Sequence, residues 1–115
     1  MTASDAIRTL IAPLLTDWHV QFGRWVDAGA TARHAVIKPA GGGKAELIRT
    51  PQLTLSLIGA VGDQSQTIQA AADSIIEAMR TGSAGIVFLQ PGEPVFMPTD
   101  DGRPIFEIAV SAITT

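Results

Sequence analysis

One segment of this chain has residue types that could form a phosphate-binding loop: Gly41, Gly42, Gly43 and Lys44. A phosphate-binding loop has a further glycine five residues before its Gly-Lys pair and a hydroxyl residue directly after the lysine. This chain has Lys38 and Ala45 at those two positions, so neither requirement is met. We therefore interpret the segment as a surface loop between two strands that could contact a partner, and predict no nucleotide cofactor.

The titratable residues also do not group into a site of acid–base or metal chemistry. His19 and His34 are the only histidines, and each is expected on the polar side or at the edge of a strand, with no acidic residue adjacent to it. Asp100 and Asp101 precede Gly102, which is a turn pattern, because glycine reaches positive φ easily and Asp bonds its own backbone. Adjacent side chains in a turn point apart. We predict neither a metal site nor catalysis.

The large aromatic and basic side chains offer structural roles instead. Trp18 is expected to anchor the first helix on the sheet, whereas Trp25 fits either the rim of the core or an interface between subunits. Arg49, Arg80 and Arg103 are spread along the chain and form no basic patch.

Composition sets limits on the class of protein. The 115 residues fit one domain, 1–115, and carry a net charge of −3, which does not attract nucleic acid. There is no cysteine, which excludes thiolate chemistry, and no apolar run is long enough for a membrane span. Only 17% of residues are charged and 46% are hydrophobic. Soluble domains have about 25% charged residues, so part of this surface is expected to be covered by other chains. The alternative is a monomer with a surface of small residues.

Apolar spacing predicts two helices. The first is expected over residues 4–15, with a kink or an early end at Pro13. The second opens with Asp63 and Gln66 at the spacing of a capping box and is expected to end at Gly82. Its apolar residues recur on one helical stripe: Ile68, Ala72, Ile75, Ile76 and Met79.

Alternation of apolar and polar residues predicts the strands, at 18–22, 34–38, 52–61, 85–90, 94–97 and 105–113. In the last of these, the apolar side chains share one parity: Phe106, Ile108, Val110 and Ala112. Helices and strands do not alternate as regular βαβ units. The sequence therefore predicts an α+β fold, a mixed and largely antiparallel sheet with two packed helices.

Three segments together resemble the tail terminator proteins of long-tailed bacteriophages, also called tail completion or minor capsid-type proteins. Residues 35–42 are similar to the first strand and glycine-rich turn of that family. Residues 50–59 with the helix at 68–79 are similar to its central strand and helix, and residues 101–106 to the motif that opens its last strand.

The resemblance implies a non-enzymatic structural protein of the virion, assembled in the host cytoplasm. Its copies would form a ring, usually a hexamer, that caps the tail tube, ends polymerisation of the major tail protein and offers a surface for head joining. DNA would pass through the lumen without specific binding. The alternatives are a head-completion protein on the neck connector and, from another class, a small-molecule-binding α+β domain.

Under this interpretation, two exposed segments would contact the tail tube or neck. The residues expected there are Gly41, Gly42, Gly43, Lys44, Asp100, Asp101 and Arg103. Trp25 and Arg49 are the candidates for the interface between subunits.

Overall fold

The computed structural model describes residues 3–39, 52–81, 87–98 and 102–114. In these residues, a helix and three strands are followed by a second helix and three more strands. The elements are α1 (Ala3–Ile11), β1 (His19–Phe22), β2 (His34–Pro39), β3 (Gln52–Ile58), α2 (Ser65–Thr81), β4 (Val87–Pro91), β5 (Val95–Pro98) and β6 (Pro104–Thr114).

The first helix ends early, as the position of its proline predicts. Residue 12 precedes Pro13, and a residue before proline is disfavoured in the helical conformation. The α1 helix accordingly stops at Ile11, and the chain continues in turns. Ile7, Ile11 and Leu15 still face the core, so the apolar stripe of the sequence continues beyond the helix.

The second helix confirms its apolar stripe but begins differently from the prediction. All five stripe residues are buried. Asp63 lies two residues before the first helical residue, and its carboxylate accepts hydrogen bonds from the Ala60 N–H (2.7 Å) and from Arg33. The capping-box prediction was therefore wrong, because the arginine and the turn N–H occupy the carboxylate. Gly82 lies outside the described residues.

The sheet is mixed and mostly antiparallel, which confirms the predicted α+β class. Its strands run in the order β1-β2-β3-β6, and the far side of β6 pairs with both β4 and β5. The β1–β2 pair is parallel, and the other pairs are antiparallel. The long β6 pairs with β5 near its start and with β4 near its end, so these two short strands share one edge of the sheet.

The two faces of the sheet are buried in different ways. On the helix face, where α1 and α2 pack, the alternating side chains of β3 and β6 form the core and confirm the predicted parity of β6. On the opposite face, which we call the loop face, the register aligns His34 with Ile58 and Val36 with Ser56. Residues 23–33 lie against one end of the loop face, and this covered end contains the polar cluster described next.

Candidate functional site

Arg103 is the centre of a buried polar cluster at the covered end of the loop face. Its side chain is 1% exposed. The Nε donates to the Gly59 carbonyl oxygen (2.9 Å), and Nη1 donates to the Asp27 carboxylate (3.1 Å). The Nη2 donates to the carbonyl oxygens of Gly29 (3.2 Å) and Ala32 (2.9 Å). One side chain thus joins the start of β6, the end of β3 and the loop between β1 and β2.

Arginine suits this position because its planar guanidinium presents five donors in a fixed fork. The exposed Gly102, with φ of +80°, turns the chain just before Arg103 enters the interior. The guanidinium carbon lies 5.1 Å from the ring centre of Trp25, so the aromatic face also contacts the cation.

This burial corrects one sequence-based expectation. Arg103 was expected on an exposed turn as a partner contact, since Asp-Asp-Gly is typical of surface turns. The backbone of Gly102 is indeed at the surface, but the side chain of Arg103 returns beneath the loop 23–33. The carbonyl acceptors that hold it lie 44 to 74 residues away along the chain, and local sequence gives no sign of them.

His34 stacks beside the same cluster and is fully buried, which also corrects its expected place on the polar side of a strand. Its Nε2 accepts a hydrogen bond from the Ala28 N–H (2.9 Å), so the proton of the neutral ring belongs on Nδ1. The ring lies 5.5 Å from that of His19 and 5.6 Å from that of Trp25, measured between centres. Burial, with the neighbouring Arg103 guanidinium, lowers the pKa of His34 below its ordinary value of 6.5.

Two donors in this region have no hydrogen-bond partner among the residues that the structure describes. They are the buried Trp25 Nε1 and His34 Nδ1. Trp25 itself is half-buried, with its ring held between Arg103 and His34 inside the chain. Its predicted role at a subunit interface stays a prediction.

A second ion pair ties the loop 23–33 to the start of α2. Arg33 Nε and Nη2 donate to the two carboxylate oxygens of Asp63 at 2.8 and 3.0 Å. The hydrogen bond from the Arg33 side chain is the main reason that the pKa of Asp63 is lowered. Burial acts in the opposite direction, and the hydrogen bond from the Ala60 N–H lowers the pKa further. The Arg33–Asp63 pair therefore holds the end of this loop that leads into β2, and Arg103 holds its middle part, from Asp27 to Ala32.

The cluster is organised for holding the backbone in place. The guanidinium of Arg103 points at main-chain carbonyls and a half-exposed carboxylate. Among the described residues, no group of three or more His, Cys, Asp or Glu side chains could hold a metal ion. Within the same residues, none of the helices has the length and apolar character needed to cross a membrane.

The surface carries a second feature, which sequence reasoning missed. Seven large hydrophobic side chains are 45% to 61% exposed in the described part of the chain. Five of them lie on or next to β1 and β5, outer strands at opposite edges of the sheet: Phe22, Val26, Val95, Phe96 and Met97. The other two are Leu14 and Val61. A signal was present at 94–98, because prolines that flank a short apolar run indicate an edge strand.

Most of the predicted contact residues cannot be compared with the structure. Gly41, Gly42, Gly43, Lys44, Arg49, Asp100 and Asp101 lie outside the described residues. Their roles at a tail tube, a neck or a subunit interface stay predictions.

Comparison with known proteins assigns a family. A family model described as "Phage tail termination protein" matches residues 1–115, the whole chain. This match confirms the resemblance drawn from the three segments of the sequence. No curated protein sequence matches the chain. The protein belongs to the phage tail termination family.

Proposed function

We propose that copies of this protein form a ring, a hexamer, that seats on the end of the phage tail tube. The ring stops further polymerisation of the major tail protein and offers a surface to which the head is joined. The observation that carries this proposal is the family match over the whole length of the chain, which assigns the coarser role of phage tail termination.

The surface of the chain supports a ring. A cyclic ring needs a heterologous interface, in which one patch of each subunit meets a different patch of its neighbour. Five of the seven exposed large apolar side chains are divided between two opposite edges of the sheet. With only 17% charged residues, the chain also has little charge to desolvate when copies meet.

Net charge suits a conduit for DNA. Six copies, each with a net charge of −3, carry −18 together. DNA phosphates are repelled by such a surface, and a protein that neutralises few phosphates binds DNA weakly. The ring therefore lets DNA pass without specific binding. The protein is a component of the virion, assembled in the host cytoplasm, and it needs neither a cofactor nor catalytic activity.

The contacts with the tube or neck are assigned to two segments, the glycine-rich residues 41–44 and the acidic pair Asp100 and Asp101, where the sequence predicts a turn. Arg103 has a different role in this proposal. It anchors the start of β6 to the loop 23–33 through buried hydrogen bonds, and it does not touch the partner.

Tube capping provides the test. Increasing amounts of the protein are added to polymerising major tail protein, and tube lengths and ends are measured by negative-stain electron microscopy. We expect shorter tubes with a ring at one end, and sedimentation should show an assembly of six copies. A strict monomer that leaves both tube length and tube ends unchanged would contradict the proposal.

A parallel pull-down experiment distinguishes a tail terminator from the alternative, a head-completion protein on the neck connector. The protein is offered the major tail protein and the head-side connector as separate baits. A tail terminator is retained by the tail protein, whereas a head-completion protein is retained by the connector alone.

A further inference from the structure

We propose that the ring closes through two outer strands of the sheet, with the β5 edge of one copy against the β1 edge of the next. This inference rests on the proposed function and deepens it, because it names the interface between subunits. The partner at each edge is a second copy of this chain.

Both strands have an outer edge to which no strand among the described residues is paired. The β1 strand pairs with β2 alone, and β5 pairs with β6 alone. Each is four residues long, so the two open edges match in length. An exposed edge with apolar side chains is an aggregation hazard unless it is covered. Strand addition by a neighbour satisfies the backbone and covers the side chains.

The side chains at the two edges match face by face. Register places Phe22 beside Ile37 and Phe96 beside Phe106, so both edge aromatics lie on the helix face. The Phe96 ring is 5.1 Å from that of Phe106, yet the residue remains about half exposed. A neighbour that continues the sheet brings an exposed phenylalanine of each edge onto the same face.

The loop face has a corresponding pair of apolar patches. Val95 and Met97 have the opposite parity to Phe96 and lie on this face at the β5 edge. At the β1 edge, the Gln21 side chain donates to the Val26 carbonyl oxygen (2.7 Å) and accepts from the Val26 N–H (2.9 Å). Gln21 aligns with Val36 on the loop face, so its amide holds Val26 beside that face. Each edge therefore presents exposed apolar side chains on both faces.

Charge at the two edges is complementary. Arg24 is exposed between the two apolar residues of the β1 edge, and the Glu93 side chain, two residues before β5, is 88% exposed. Glu93 forms a long ion pair with Arg80 (3.9 Å), and its high exposure keeps the carboxylate accessible to a neighbour. Opposite charges beside two apolar patches favour this head-to-tail orientation and disfavour edges of the same kind meeting.

Disulfide crosslinking tests the inference directly, because the chain has no cysteine. A variant with Phe22→Cys and Phe96→Cys is oxidised with and without tail tubes. Within one chain the two positions are separated by β2, β3 and β6, so they lie roughly 19 Å apart at the usual strand spacing. Disulfides require Cα atoms within about 7 Å, so a bond can form only between copies. We expect a ladder of crosslinked multimers that ends at the ring size, whereas each single-cysteine variant should form no ladder.

Mixing of charged variants tests the head-to-tail arrangement. Phe22→Glu and Phe96→Glu should each weaken self-association by on the order of tenfold or more, as expected for a central aromatic at an interface. A mixture of the two contains one intact pair of edges, so it should form mixed dimers but no rings. Val61→Glu, at an exposed apolar position away from both edges, is the matched control and should assemble like the wild type.

The outcomes separate this inference from the proposed function. Rings that still form in both glutamate variants, or that yield no crosslinked ladder, would place the interface elsewhere and leave the capping role intact. If the wild type forms no ring with or without tubes, both proposals fail.

Discussion

At the scale of single residues, Arg103 accounts for much of the order at the covered end of the loop face. Four of its hydrogen bonds reach two other parts of the chain, the end of β3 and the loop 23–33, and three of these acceptors are main-chain carbonyls. Carbonyl oxygens in a loop cannot pair with each other, so they need a donor from elsewhere. A guanidinium supplies several donors from a single side chain, and the loop 23–33 is organised around it.

Replacement of Arg103 should therefore destabilise the fold. We expect Arg103→Leu to lower the free energy of unfolding by about 3 kcal/mol, because it leaves buried acceptors without donors. Arg103→Lys retains the charge but not the planar fork, so its free energy of unfolding should lie between those of the wild type and the leucine variant. Urea denaturation measures the free energy of unfolding of the wild type and both variants. A leucine variant as stable as the wild type would show that water replaces the guanidinium at no cost.

The buried histidine predicts a dependence of stability on pH. The pKa of His34 in the folded protein lies below 6.5, so the unfolded chain binds more protons as the pH falls below that value. Stability should then decrease from about pH 6.5 downward with a slope of up to about 1.4 kcal/mol per pH unit, until the folded-state pKa is reached. The lowered pKa values of Asp27 and Asp63 act in a separate window, below 3.8.

His34→Gln should remove most of the decrease in the free energy of unfolding between pH 6.5 and 5, as measured by urea denaturation at several pH values. The control is His19→Gln, at an exposed position on the same ring stack, which should keep most of this decrease. NMR titration of the wild-type imidazoles gives an independent check. A His34 pKa at or above 6.5 would contradict the assignment.

These two residues also show the limit of sequence reasoning. Alternation of apolar and polar residues correctly identified which side chains of β3 and β6 lie on the helix face. The rule works there because these side chains pack against the regular helices α1 and α2. The same rule assigned His34 to solvent. It failed because residues 23–33, which have no regular secondary structure over most of their length, cover the loop face there. Burial by an irregular loop leaves no periodic signal.

At the scale of elements, the contact between α2 and the sheet depends on a glycine that ends β3. The sequence indicated Gly59 as a bulge or strand end, and the strand does stop just before it. A Cβ at this position would lie 2.9 Å from Ile68 Cγ1 in α2 and 2.9 Å from Pro104 Cγ in β6. The absence of a side chain therefore sets how closely the helix approaches the sheet.

Gly59→Ala should accordingly destabilise the protein, by roughly 1 to 3 kcal/mol, since overpacking displaces both neighbours. Gly92→Ala is the matched control, because the nearest atom to its Cβ, the Ala109 carbonyl oxygen, is 3.4 Å away. Its stability should remain within about 0.5 kcal/mol of the wild type. Thermal unfolding compares the two. Equal stability of both variants would mean that α2 shifts without cost.

At the scale of the whole molecule, the proposed ring explains two features together. Contact between neighbouring copies accounts for both the low fraction of charged residues and the position of the exposed apolar side chains. The sequence indicated that part of the surface is shared, but not which part, because exposure depends on strand order. Only the observed order β1-β2-β3-β6, with β5 beyond β6, shows that residues 22 and 96 lie at opposite edges.

Separate surfaces for neighbours and for the tube lead to a last prediction. Lys44→Glu should leave thermal unfolding and ring formation unchanged, since the assigned subunit interface lies at the two sheet edges. It should weaken tube capping, seen as longer tubes at equal protein concentration. Arg8→Glu, on the exposed side of α1, makes the same change in charge and is the control. If both variants cap equally poorly, the repulsion comes from net charge. If both cap like the wild type, the tube is held by another surface, and the segment with Asp100 and Asp101 becomes the next to test.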